Sequence, residues 1–137
     1  MSLVLDLHRA IITAFRSDAQ LSALLNSTDS IFERVPPNRQ FPCIVVEQSL
    51  AADWSTDHEP GRDVIVTVGI WSRADNRAET YAISDRAVTV LETGFETSNS
   101  LNIVLSQMLS ATYTREAAQR AYRATIRLRF LIEPATQ

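Results

Sequence analysis

The chain has 137 residues, 45% hydrophobic and 21% charged, with 13 basic against 16 acidic side chains and a formal net charge of -3. That length suits one domain around one core, residues 1–137 throughout, and the ordinary composition excludes a disordered or fibrous chain. So small a charge implies no whole-molecule attraction to nucleic acid or anionic membrane, which leaves only local patches. The lone cysteine, Cys43, lies in the apolar run Cys43-Ile44-Val45-Val46, so it excludes a disulfide framework within the chain and reads as a buried, inert thiol. No apolar stretch approaches the roughly 18 to 20 residues that span a bilayer, and the N-terminus lacks a basic region followed by an apolar one. The protein is therefore expected in the cytoplasm of the cell that makes it.

In chain order, Leu3, Leu7, Ile11, Ala14 and Phe15 recur at three- and four-residue spacing with Asp6, Arg9 and Arg16 between them. This predicts an amphipathic helix over residues 2–16 with Ser2 as N-cap. Residues 17–25 predict a second short helical turn that folds Leu21, Leu24 and Leu25 onto the core, and residues 26–30 a loop. A short strand is expected over 31–35, stopped by Pro36-Pro37, which have no N–H to give a ladder. Residues 43–50 predict a strand after Pro42, and the polar stretch 51–62, with Pro60-Gly61, an extended loop.

Val64, Val66, Val68 and Ile70 then alternate with Asp63, Ile65, Thr67, Gly69 and Trp71, which puts a complete aliphatic face on one side of a strand. Asn76 and Glu79 fit a capping pair for a helix whose apolar side is Tyr81, Ile83, Ala87, Val88, Val90 and Leu91, ended by Gly94. Residues 102–114 and 120–132 read as strands joined by a turn at 115–119. In the second, Tyr122, Ala124, Ile126, Leu128, Phe130 and Ile132 face one way, and Arg123, Thr125, Arg127, Arg129 and Leu131 the other. The expected fold is α+β: a mostly antiparallel sheet of four to five strands with two main helices on one face, in the order α-β-β-β-α-β-β.

Catalytic chemistry is hard to place on this pattern. Asp53, Asp57, His58 and Glu59 form the only cluster with metal-like chemistry, but their spacing matches neither a calcium loop nor a histidine zinc motif, so a solvated acidic loop is expected. His8 reads as an ordinary surface residue, since Asp6 two positions away on a helix does not face it. There is no Gly-x-Ser-x-Gly elbow, and Gly61, Gly69 and Gly94 are too scattered to cradle a phosphate. No catalytic, cofactor or metal residue is assigned, and no cofactor is expected. The arginine row at 123, 127 and 129, with Arg115 and Arg120 nearby, could pair with carboxylates of a neighbouring subunit, touch DNA phosphates, or simply solvate a sheet face. No aromatic residues interleave with it, so base stacking is not suggested. Trp71, opposite the aliphatic face, either packs beneath a helix or anchors an interface, and Trp54 in the polar loop is a candidate for intersubunit contact.

Three segments, taken in order, carry a resemblance. They are Arg34-Val35-Pro36 followed by Phe41-Pro42-Cys43-Ile44-Val45-Val46; Asp53-Trp54-Ser55-Thr56; and Ile70-Trp71-Ser72-Arg73 with Ala78-Glu79. With the N-terminal helix and the final alternating strand, the chain resembles the tail completion or tail terminator family of long-tailed bacteriophages, prophage remnants and gene transfer agents. The resemblance implies a structural virion protein, not an enzyme: a subunit of a ring, usually a hexamer, on the head-proximal end of the tail tube. It implies the tail tube protein and the head-completion or connector protein as partners, with DNA only as passing cargo and no membrane. Trp54, Asp57, Arg62, Arg123, Arg127 and Arg129 are the candidate subunit or partner interface. The alternatives are another head–tail connector or minor tail protein and, in a different class, a small metal-dependent hydrolase or ligand-binding domain.

Overall fold

The structure is a computed structural model that describes residues 2–26, 30–34, 38, 40–57, 60–73, 77–97 and 100–135. Its helices are α1 (Leu3–Ser17), α2 (Ala19–Leu25) and α3 (Ala78–Glu92), and its strands β1 (Ile31–Phe32), β2 (Cys43–Asp53), β3 (Arg62–Ser72), β4 (Leu101–Glu116) and β5 (Ala121–Pro134). A short 3-10 turn, Ala117–Gln119, joins β4 to β5. The five strands form one sheet in the order β1-β2-β3-β5-β4, antiparallel except for the short parallel β1–β2 pair. This is the expected α+β class.

The core follows from the alternation in β3 and β5. Val64, Val66, Val68 and Ile70 lie beside Phe130, Leu128, Ile126 and Ala124 in register. All eight are buried against Leu7, Ile11 and Phe15 of α1, Leu21 and Leu25 of α2, and Ile83, Ala87 and Leu91 of α3. A twisted sheet with one apolar face can be covered by helices on that side alone. In α3, Thr80 and Ser84 are buried while Tyr81 is exposed. The Ser84 hydroxyl is satisfied there by donating to the Thr80 carbonyl at 2.7 Å, the Thr80 hydroxyl has no hydrogen-bond partner among the described residues, and Tyr81 instead packs edge-on against Tyr113 of β4 at 4.5 Å between ring centroids.

Local signals set the helix ends. Ser2 Oγ accepts from Leu5 N at 3.2 Å and caps α1. Asp18 then caps α2 through Leu21 N at 3.0 Å and is gripped by Arg86 of α3, whose Nε and a terminal nitrogen donate to the two carboxylate oxygens at 2.8 and 2.6 Å. The guanidinium holds the Asp18 carboxyl below the usual carboxylate range. One side chain therefore fixes the α1–α2 corner and ties it to α3. Gly94, at φ 96°, takes the left-handed position just past α3.

Several boundaries depart from the sequence expectation. β1 stops at Phe32 and does not run to 35; Val35, Pro36 and Pro37 lie outside the described residues. β2 continues to Asp53 because Ala51, Ala52 and Asp53 pair with Val64, Asp63 and Arg62, so the expected loop over 51–62 shortens to 54–61. The capping pair for α3 also changes. Asn76 lies outside the described residues, the helix starts after Arg77 with no side-chain cap, and Glu79 accepts from the buried Ser72 hydroxyl.

β4 is the sheet's far edge. Its ladder to β5 shifts register between Ile103 and Leu105 and again between Met108 and Ser110, which leaves Val104 and Leu109 as extra, exposed residues. Met108 N donates to Glu92 Oε2 at 2.9 Å, so α3 supplies an acceptor to this edge.

Truncation of Phe130, fully buried at the centre of the core, to alanine should cost about 3–5 kcal/mol, whereas Val104→Ala on the exposed bulge should cost under about 0.5 kcal/mol. Urea unfolding midpoints at constant slope compare the two.

Candidate functional site

The face of the sheet away from the helices carries the candidate residues. The ladder places them in rows across β3 and β5: Trp71 beside Arg123, Gly69 beside Thr125, Thr67 beside Arg127, Ile65 beside Arg129 and Asp63 beside Leu131. Threonines and arginines on a surface that no helix covers make a polar face over an apolar one. The sequence alternation requires this once the other side is core.

The arginine row does not stand free as a unit. Arg129 forms a two-pronged pair with Asp63, Nε to Oδ1 at 3.0 Å and a terminal nitrogen to Oδ2 at 2.7 Å, which holds the Asp63 carboxyl below its ordinary range. Arg123 donates to both carboxylate oxygens of Glu47 and lies over the Trp71 ring at 4.9 Å. Trp71 is thereby part of the open face, half-buried under its own chain's guanidinium. Arg127 is exposed and has no carboxylate partner among the described residues.

Gly69 explains how Glu47 reaches across. A Cβ there would sit 2.8 Å from Glu47 Oε2, so the carboxylate passes over the bare backbone of β3 to meet Arg123 on β5. Just beyond Glu47, β2 bulges: the register shifts between Val46 and Ser49, and two residues oppose Thr67. The bulge opens a groove of about 850 Å³ on this face, with Leu50, Ile65, Thr67 and Arg127 in its lining. Leu50 is 65% exposed.

The other candidates lie on the β2–β3 hairpin tip. Trp54 N donates to Gly61 O at 3.0 Å, Ser55 N and Oγ donate to Asp53 Oδ1 at 3.2 and 2.6 Å, and Gly61 N donates to Ser55 Oγ at 3.2 Å. The Ser55 bonds hold the Asp53 carboxyl below its usual range. Arg62 reaches Gly61 O at 2.9 Å and Asp53 at 3.4 Å in a solvent-exposed pair of little energetic weight. The Trp54 ring edge lies against Gly61, where a Cβ would come within 3.0 Å of it, and the ring stays 37% exposed. Asp57 is exposed and has no cationic partner among the described residues. His58 and Glu59 lie outside the described residues, so the expected acidic cluster reduces to Asp53 and Asp57, and the described residues contain no group of three possible metal ligands.

Sequence reasoning missed one polar contact. His8, expected at the surface, is half-buried on α1 with Nε2 in close contact with Ser49 Oγ at the β2 bulge. Helical spacing from Asp6 could not reveal a partner 41 positions away. Burial lowers the His8 pKa below 6.5, against a smaller upward pull from the Glu33 carboxylate.

Two outcomes test this geometry. Gly69→Val should displace Glu47 and cost about 1–3 kcal/mol, with most of that cost absent in a Glu47→Ala background, as a denaturation double-mutant cycle would show. For His8, the unfolded chain takes up its proton near pH 6.5 and the folded one only at lower pH. Stability is then complete above 6.5 and falls as pH drops toward the folded value, and His8→Gln should flatten that decline in melts from pH 8 to 5.

Comparison with known proteins adds three findings. The family model described as tail completion protein gp17 matches residues 9–133. Among solved structures, a chain from the virion of a native gene transfer agent particle aligns at a TM-score of 0.84 and 20% identity, over 96% of this chain and 98% of that one, a likeness of fold. No curated protein matches in sequence.

Proposed function

The chain belongs to the tail completion protein gp17 family of structural phage-tail proteins, which is not an enzyme family, and on that premise we propose that it is a tail terminator subunit. The whole chain works as one domain. Copies close into a hexameric ring on the head-proximal end of the tail tube, stop its polymerisation and offer a surface to the head-completion or connector protein. Genome DNA passes through the central hole. The ring is built in the cytoplasm of the host bacterium and ends at the head–tail junction of the virion.

The reading is carried by the one-sided packing of the sheet. Helices cover only the aliphatic face, and the other side presents a broad polar surface with an open groove. A subunit of a closed ring needs two different surfaces, because each copy meets the next through unlike patches. The groove and the projecting hairpin tip supply two such surfaces on opposite parts of β2. The described pairs on the open face are carboxylate–guanidinium contacts that hold strands together, an arrangement suited to docking and not to bond-making.

Native mass measurement and negative-stain imaging of the purified chain, alone and mixed with tail tube subunits, test the proposal. Tubes of limited length with a ring of copies on one end are expected. Tubes that keep growing with bare ends in the presence of excess protein would overturn it.

A further inference from the structure

Two features of the open groove stand out against the neutralised face around it. Among the described residues Arg127 has no carboxylate partner, although Arg123 and Arg129 on the same strand each hold one. Leu50, paired in register with Ile65, keeps most of its surface in solvent. A guanidinium beside an exposed aliphatic side chain fits a partner that brings a carboxylate and an apolar group together.

The chain carries such a pair on its own hairpin tip, where Asp57 is exposed with no cationic partner among the described residues and Trp54 is partly bare. The bonds from Trp54 N to Gly61 O and from Gly61 N to Ser55 Oγ close the base of the tip, so Trp54 is offered from a fixed frame with little further ordering. The tip cannot turn back onto its own groove. From Ser49–Val66 to Asp53–Arg62 the two strands stay laddered, which holds the tip beyond the end of the sheet that bears the groove. Any contact between tip and groove must therefore join two copies.

Resting on the ring reading above, we propose that the hairpin tip of each copy seats in the sheet-face groove of the next, with Asp57 meeting Arg127 and Trp54 covering Leu50. Tip against groove is a contact of unlike patches, the kind that propagates around a ring. A phosphate would satisfy Arg127 but leave Leu50 bare, so a protein partner accounts for more of the surface.

Among the described residues neither Asp57 nor Arg127 has an ion-pair partner, so charge reversal at either is expected to leave the fold intact. Arg127→Glu and Asp57→Lys, each alone with tail tube subunits, should raise the concentration for half-assembly about tenfold or more, with unchanged circular dichroism and melting. An equimolar mixture of the two variants should regain wild-type assembly. In alternating copies the lysine of one variant faces the glutamate of the other, and the remaining Asp57 faces the remaining Arg127. Closed wild-type assemblies with either variant indifferent, or a mixture that stays unassembled, overturn this contact alone. Loss of tube binding or DNA retention on Arg127→Glu with Asp57→Lys unaffected does the same, and assigns the groove to another protein or to phosphate. A wild type that never closes into a ring overturns the ring reading and this contact with it.

Discussion

The aliphatic face shared by β3 and β5 must be removed from water, and every other placement in the molecule answers to that need. Val64 through Ile70 and Ala124 through Ile132 form a continuous apolar surface in register. α1, α2 and α3 are amphipathic pieces that can cover it from one side, and the Asp18–Arg86 clasp sets the corner at which two of them meet the third. A one-residue slip would turn the valines of β3 outward or the arginines of β5 inward, so the register is held by burial on one face and by charge on the other.

The polar face then has its own internal order. Glu47–Arg123 and Asp63–Arg129 each span strands, and each is partly solvated. Pairs of this kind add modest stability. Their firmer effect is on specificity: they neutralise what would be a row of like charges down β5 and tie β2 and β3 to it at chosen heights. Gly69 is the feature that lets the longer pair form, since any side chain there would occupy the path of the Glu47 carboxylate. Arg127, which stands between the two pairs, is the residue this scheme leaves unneutralised.

Much of the fold could be seen in the sequence because the period-two alternation of residues 63–71 and 122–132 is unbroken, and because Ser2, Gly94 and the helical spacing of Leu7, Ile11 and Phe15 are local signals. The extension of β2 to Asp53 was hidden, because Ala51, Ala52 and Asp53 are weak strand formers that pair only through a hairpin partner. The bulge after Val46 was hidden too, since an extra residue in one strand shows only against the other. At the candidate site, the alternation put the arginines on one face, but not which of them had a carboxylate. Glu47 lies 76 positions from Arg123, and Asp63 lies 66 from Arg129. Linear spacing carries no information across such distances, nor between His8 and Ser49.

β4 bears on how a subunit survives before it meets its partners. From Leu101 to Thr114 that strand has no charged side chain, the kind of rim on which stray chains stack into fibres. The two bulges break its straight run of donors and acceptors at Val104 and Leu109, and Glu92 occupies the Met108 amide between them. An incoming strand therefore finds no long uninterrupted template. Copies that meet rim to rim thus share only short stretches of ladder, which disfavours their stacking edge to edge.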